Sequence, residues 1–180
     1  MIESPNLQLI PCELKHFGAI LRDEKELASM LGVEIDDDWL GFPPAREAMQ
    51  PSFEYLKAHP SAMGWWMYLL VHRANKTLIG LVGFKGVADA SGMVEIGYSL
   101  SSAYRLRGLA TEAARALVDY AFSHTHVRRV DAHTMPERNG SVRVLEKVGM
   151  KFTGTVEDPD DGEVWHWTLS REDYSKDLNA

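Results

Sequence analysis

The chain reads as one α/β domain in which helices interrupt a mixed, largely antiparallel sheet. Three observations predict it. Apolar or alternating strand-like runs recur along all 180 residues. A short glycine-containing loop joins one of them to a long segment with Ala110, Ala113, Ala114, Leu117, Val118, Ala121 and Phe122 on a single helical face. The last two runs flank Pro159-Asp160-Asp161-Gly162, a sequence suited to a hairpin turn.

In chain order, residues 7–11 read as a first strand and 13–31 as a helical stretch. Gly41-Phe42-Pro43-Pro44 breaks the chain before a second helical segment at 45–58, interrupted at Pro51. An apolar strand at 65–73 turns through Ala74-Asn75-Lys76 into another at 77–85. The loop 86–92 leads to a strand at 93–100, in which Glu95-Ile96-Gly97-Tyr98-Ser99-Leu100 alternates. After the long helix come a strand at 129–134, a helix at 141–148, and strands at 151–156 and 163–169. No linker, repeat or low-complexity stretch divides residues 1–180, so a single domain is expected.

Composition narrows the function. With 45% hydrophobic and 25% charged residues the chain suits a globular protein with a core of its own. Cys12 is the sole cysteine, so neither an intramolecular disulfide nor a cysteine zinc cluster is expected. The first residues lack the layout of a signal peptide and no apolar run would span a bilayer, which predicts a cytoplasmic protein with no membrane partner. A net charge of −7 argues against nucleic acid as the main ligand and permits a cationic amine. The acidic clusters 36–38 and 157–161 read as solvated loops.

The chemistry concentrates at Arg105-Leu106-Arg107-Gly108-Leu109-Ala110. A tight turn from strand into helix leaves the first helical N–H groups without intrahelical partners, and the positive end of the helix dipole adds to them. Together they suit a phosphate or pyrophosphate. Gly108 and Ala110 let an anion approach the backbone, while Arg105 and Arg107 supply charge. The P-loop and dinucleotide glycine patterns are missing.

The spacing Arg-x-x-Gly-x-Ala resembles the acyl-CoA loop of the GCN5-related N-acetyltransferases, the GNAT superfamily. The order of elements from about Leu7 to Tyr174 is similar as well. Glu95-Ile96-Gly97-Tyr98, Pro136-Glu137-Arg138-Asn139-Gly140-Ser141, Val144-Leu145-Glu146-Lys147-Val148-Gly149-Met150 and Gly162-Glu163-Val164-Trp165-His166-Trp167 look most like the ribosomal-protein alanine N-acetyltransferase (RimJ/RimL) type.

The resemblance implies a GNAT-type sheet with a splayed parallel strand pair, here 95–100 and 129–134, flanked by helices. It implies acetyl-CoA as acyl donor, no metal, and direct transfer to a primary amine: a protein N-terminal α-amine or a small molecule. A homodimer is possible within the family, and a module that binds acyl-CoA without turnover is the alternative. By resemblance, the backbone of Ser99 and Leu100 meets the pantetheine arm. The amides of Leu106, Arg107, Gly108, Leu109, Ala110 and Thr111 meet the pyrophosphate, with Asn139 and Ser141 on the other side. Both of those are also good helix caps.

Acetyl transfer needs an amine deprotonated, an oxyanion stabilised and a thiolate protonated. Glu95 is the candidate carboxylate for the first and a strand amide near Leu100 for the second. Many GNAT enzymes carry a tyrosine where this chain has Leu145, which cannot donate a proton, so Ser141 is the candidate for the third. His133 and His166 lie on expected strands and could face the cleft. Cys12 has no evident histidine partner, which disfavours an acetyl-cysteine route.

Overall fold

The computed structural model describes residues 1–41, 44–159 and 161–177. Strands β1 (Ile2–Glu3) and β2 (Leu7–Pro11) form an antiparallel hairpin. The expected helix at 13–31 is two helices, α1 (Leu14–Arg22) and α2 (Glu24–Leu31). Asp23 lies between them in an extended conformation, φ −158° and ψ 116°, with its carboxylate accepting from the Lys25 amide. Aspartate competes with the helical backbone and caps well, so it ends one helix by starting the next.

Strand β3 (Glu34–Ile35) is too short to show a period. It is followed by α3 (Pro44–Glu47) and α4 (Met49–Ala58). Pro51 sits in the first turn of α4, where no N–H is required, and so it does not interrupt the helix. Phe42 and Pro43 of the expected break lie outside the described residues, as does Asp160 of the acidic turn.

The rest of the chain runs β4 (Met67–His72), β5 (Thr77–Phe84), β6 (Met93–Leu100), α5 (Leu109–Ser123), β7 (Arg129–Thr134), α6 (Gly140–Val148), β8 (Lys151–Asp158), β9 (Gly162–Ser170) and α7 (Arg171–Asp177). β4 begins after Trp65, whose amide closes a turn onto the Ala62 carbonyl. The final helix was not legible in its polar sequence.

The strands form one sheet in the order β1-β2-β4-β5-β6-β7-β9-β8, with β3 parallel to β5 beyond the end of β6. Along that path only β6 and β7 run parallel. One face packs on α5 and α6, with Val94, Ile96, Leu117, Val130 and Leu145 in its core. The other packs on α1, α2 and α4 through Phe17, Leu27, Leu56, Leu69 and Leu78. Strand β5, buried along its whole length, divides the two cores.

The N-terminal hairpin is tied to α5 by Glu112. Its Oε1 accepts from Ser4 Oγ and the Asn6 amide, both at 2.7 Å, and Oε2 accepts from Asn6 Nδ2 at 2.9 Å. Partial burial raises the Glu112 pKa, but these donors outweigh it and hold the carboxyl below its ordinary value of 4.5. A depressed folded pKa means a contribution that is full above pH 4.5 and is lost as pH falls through the folded value. Charge-assisted bonds at a part-exposed site contribute about 1–2 kcal/mol. Glu112→Gln is therefore expected to cost that much in urea titrations near pH 7, with a gap to the wild type that narrows in acid. An equal gap at both pH values would show that the tether does not use the charge.

Candidate active site

β6 and β7 pair only at Met93↔Arg129, Val94↔Val130 and Glu95↔Asp131, although they continue to Leu100 and Thr134. The two strands part after Glu95 and open a fork. On its other edge β6 stays paired with β5 as far as Gly80↔Leu100. There the Lys85 amide donates to Glu95 O at 2.9 Å and the Ser101 amide to Ile79 O at 2.8 Å. Antiparallel ladders alternate, so the odd-numbered residues of β6 turn their backbone groups toward β5. Ile96, Tyr98 and Leu100 turn theirs into the fork.

This corrects the expectation for Ser99. Its backbone faces Leu81 of β5, and its Oγ donates to Leu40 O at 2.6 Å. The cleft-facing pair is Tyr98 and Leu100, because parity is set by the strand's partner and not by its own sequence.

At the wide end of the fork, a 3-10 turn at Ser102–Tyr104 leads into the glycine loop. Leu106 is 98% exposed and has φ 59°, a conformation that costs a non-glycine residue about 1–2 kcal/mol. Gly108, φ 80°, is the N-cap of α5 and provides no side-chain cap to the amides of Leu109, Ala110 and Thr111. A Cβ at Gly108 would meet no protein atom within 4 Å, so the space beside these donors is open. Helices α2 and α6 differ: Asp23 caps the first, and Asn139 Oδ1 accepts from the Ser141 and Val142 amides of the second. Among these three helices, α5 keeps its first donors for something outside the fold.

The two arginines divide their roles. Arg105 Nε donates to Leu100 O at 3.0 Å and Nη2 to Gly41 O at 2.8 Å, so it staples the Leu40-Gly41 segment to the end of β6. Gly41 permits that approach: at φ 76°, a Cβ would lie 2.2 Å from Ser99 Oγ. Arg107 stays exposed, its guanidinium 5.2 Å from the Tyr104 ring centre.

At the narrow end lies a polar cluster on the sheet face opposite α5. Glu95 Oε1 accepts from Lys85 Nζ at 2.5 Å and His133 Nδ1 at 2.9 Å. Burial opposes the Lys85 ammonium, but Glu95, with Asp158 and Asp161, outweighs it and raises the Lys85 pKa. Asp131 is buried; it accepts from His166 Nε2 at 3.0 Å, Thr168 Oγ1 at 2.8 Å and Arg129 Nε at 3.0 Å. The His133 and His166 ring centres are 5.1 Å apart. Next to Glu95 on the strand, Gly97 is exposed, and a Cβ there would meet nothing within 4 Å. A strand glycine with free space over it leaves room for a ligand.

Across the fork, the Tyr98 hydroxyl donates to Ser141 O at 3.1 Å. The Ser141 side chain hydrogen-bonds to the same Tyr98 hydroxyl. Burial pushes the Tyr98 phenol up, only partly offset by that hydrogen bond with the Ser141 side chain, so it stays protonated. Leu145 is fully buried in the core beneath. Cys12 is buried, and that burial, reinforced by the charge of Glu13, pushes its thiol far up, away from nucleophilic use. Among the described residues no group of three or more His, Cys, Asp or Glu is placed to hold a metal ion.

Sequence reasoning brought Glu95, Leu100, the 105–111 loop, Asn139 and Ser141 to one fork. It missed Lys85, Gly97, Tyr98 and the Leu40-Gly41 wall. Only Gly97 carried a signal, as a glycine inside an alternating strand.

A strand fork with an uncapped glycine-loop helix at its mouth is the architecture of an acyl-CoA-dependent transferase. The family model for the acetyltransferase (GNAT) domain matches residues 6–151, and the chain belongs to that family of acetyl-CoA-dependent N-acetyltransferases. It is 28% identical over 149 residues to the uncharacterised N-acetyltransferase YjdG of Bacillus subtilis, covering 83% of this chain and 88% of that one. Its fold is shared with the ribosomal-protein-S5-alanine acetyltransferase of Vibrio fischeri, with a TM-score of 0.66, 17% identity and coverage of 96% and 97%. It is also shared with the aminoglycoside acetyltransferase AAC(6')-Ib in complex with ribostamycin and coenzyme A, with a TM-score of 0.66, 21% identity and coverage of 97% of each chain.

Arg105→Lys keeps the charge but loses the planar fork that reaches both carbonyls. Acetyl-CoA affinity by calorimetry is expected to fall about tenfold, near 1.4 kcal/mol, with the melting temperature little changed. Unchanged affinity would show that the staple does not shape the cleft.

Proposed function

We propose that the whole chain acts as one cytoplasmic N-acetyltransferase unit. On this reading it transfers acetyl directly from acetyl-CoA to a primary amine bound with it in the fork. The observation that carries the reading is the parting of β6 and β7 immediately beyond Glu95, with the uncapped α5 N-terminus at the far end.

The amides from Leu106 to Thr111 take the pyrophosphate, and the strained Leu106 and Gly108 turn them toward it. The pantetheine arm runs down the fork and meets the edge groups of Tyr98 and the Leu100 amide, the Leu100 carbonyl being held already by Arg105. Strand rise of about 3.3 Å per residue puts Leu100 roughly 16 Å from Glu95 and Tyr98 roughly 10 Å from it. The Tyr98 amide is thus better placed for the thioester oxygen, with Leu100 gripping the arm. Preorganised backbone donors of this kind stabilise charge as it develops on oxygen. Ser141 Oγ, across the fork beside the Tyr98 hydroxyl, is the group proposed to hand a proton to the departing thiolate.

The acceptor lies over Gly97, with Glu95 assisting loss of its proton. The surrounding carboxylates, Glu95, Asp131, Asp158 and Asp161, favour a cationic group there. Both amine classes remain consistent with this site: the α-amine of a protein or peptide, and a small molecule such as an amino sugar or polyamine.

The test is release of CoA thiol from acetyl-CoA across peptides of varied N-terminus, polyamines, amino sugars and amino acids. A peptide-only response identifies a protein N-terminal acetyltransferase, and a small-amine response a metabolic or detoxifying one. Bound acetyl-CoA with no release to any amine would overturn the assignment of turnover. Gly108→Glu is expected to abolish acetyl-CoA binding by steric and charge conflict; retained affinity would show that the loop does not hold the pyrophosphate. Glu95→Gln is expected to lower turnover at neutral pH by about 10²-fold while acetyl-CoA affinity stays within about twofold. Unchanged turnover would remove Glu95 from the mechanism.

A further inference from the structure

We infer that His133 Nε2 is the atom that takes the proton from the acceptor amine, and that Glu95 acts through it as a positioning residue. The inference rests on the acetyl-transfer reading above and specifies how its first step is made.

Glu95 directly faces Lys85 across the β5–β6 ladder, and His133 is two residues beyond Glu95's partner Asp131 on β7. The Glu95–His133 bond therefore crosses the point where the strands part. An ionised carboxylate only accepts, so His133 Nδ1 must carry the hydrogen in this bond. That fixes the tautomer and leaves Nε2 with a lone pair. Among the described residues Nε2 has no hydrogen-bond partner, and it is not one of the side-chain atoms sealed from solvent. To take a proton itself, Glu95 would have to give up its ion pair with Lys85. His133 Nε2 has no such bond to lose. A carboxylate that orients an imidazole and supports its cation is the arrangement of a catalytic dyad.

His166 is not equivalent. Its Nε2 meets Asp131 and its Nδ1 meets Thr153 Oγ1 at 2.5 Å, so both ring nitrogens are occupied. The charged and titratable groups around His133 are Glu95 on β6, Lys85 just past the end of β5 with Asp158 and Asp161 acting on it, Asp131 beside Arg129 on β7, and His166 from β9.

The acceptor ammonium sheds two protons in all. His133 Nε2 takes the first and frees the lone pair that forms the N–C bond. The C–S bond breaks, its electron pair leaves on sulfur, and the second proton of the nitrogen ends there. The imidazolium then returns its proton to water, which balances the transfer.

Two measurements test this with spermidine and an alanine-initiated peptide as acceptors. The first is the pH profile of kcat/KM. The wild type is expected to show a rising limb, as a base that must be unprotonated to act requires. In His133→Gln the limb should disappear and kcat fall by about 10²–10³-fold, with acetyl-CoA affinity kept. Added imidazole should restore part of the rate to His133→Ala. A His133→Gln enzyme within about threefold of wild type, with the limb intact, overturns the assignment.

The second measurement needs no turnover: ¹⁵N spectra of the imidazoles in the wild-type protein and Glu95→Gln. The expected result is the Nδ1–H tautomer for His133 in the wild type, weakened in the variant. An Nε2–H tautomer in the wild type overturns the proposal. If neither acceptor reacts, the amine panel above decides the acetyl-transfer reading, while the second measurement still decides the tautomer and with it this proposal.

Discussion

The site depends on a sheet that stops pairing. A parallel ladder satisfies backbone N–H and C=O groups on both strands, and unpaired groups at an interior strand edge are costly unless something else meets them. β6 and β7 share three residue pairs and then separate, so Tyr98 and the Leu100 amide face the opening while Arg105 takes the Leu100 carbonyl. The separation is held from several directions. β6 remains locked to β5, Arg105 binds the end of β6 to Gly41, and the Tyr98 hydroxyl spans to the first turn of α6. One wall of the fork, β6, is backed by β5, which is buried along its whole length between the two cores.

The two ends of the fork have different chemistry for a physical reason. At the wide end, α5 begins with a left-handed glycine and no side-chain cap, so several backbone donors converge with the helix dipole on open space. Glu112, the acidic residue of that first turn, would oppose an anion, but its carboxylate is turned away onto Ser4 and Asn6. The narrow end carries ionisable side chains in place of bare backbone. Each carboxylate there is bonded to a histidine on the next strand, Glu95 to His133 and Asp131 to His166. Bare backbone donors and ionisable side chains are thus separated along one strand.

Much of this was readable in the chain. The amphipathic period of α5, the alternation of β6, and the Arg-x-x-Gly-x-Ala spacing between them follow from local geometry. That geometry is encoded within a dozen neighbouring residues. Asn139 was open to two readings, and its Oδ1 is bonded to the amides of its own helix. The break at Asp23 was available in principle, since an aspartate followed by Glu24-Lys25-Glu26 is a good helix start. The harmless Pro51 was misjudged because its effect depends on which helical turn it occupies.

What the sequence by itself determined was the main strands and helices in their order and the loop at the head of α5, while Glu95, Ser141 and Leu100 were put near one cleft by family resemblance. Periodicity and turn chemistry are properties of contiguous residues, so they survive without knowledge of the partner. Only the tertiary structure decided which backbone groups of β6 face the fork, since hydrogen-bond parity belongs to the β5–β6 register. It also decided that Lys85 and His133 share one oxygen of Glu95. Those three side chains come from β6, β7 and the residue that follows β5, and meet across two ladders of opposite sense, a coincidence in space that no local pattern records.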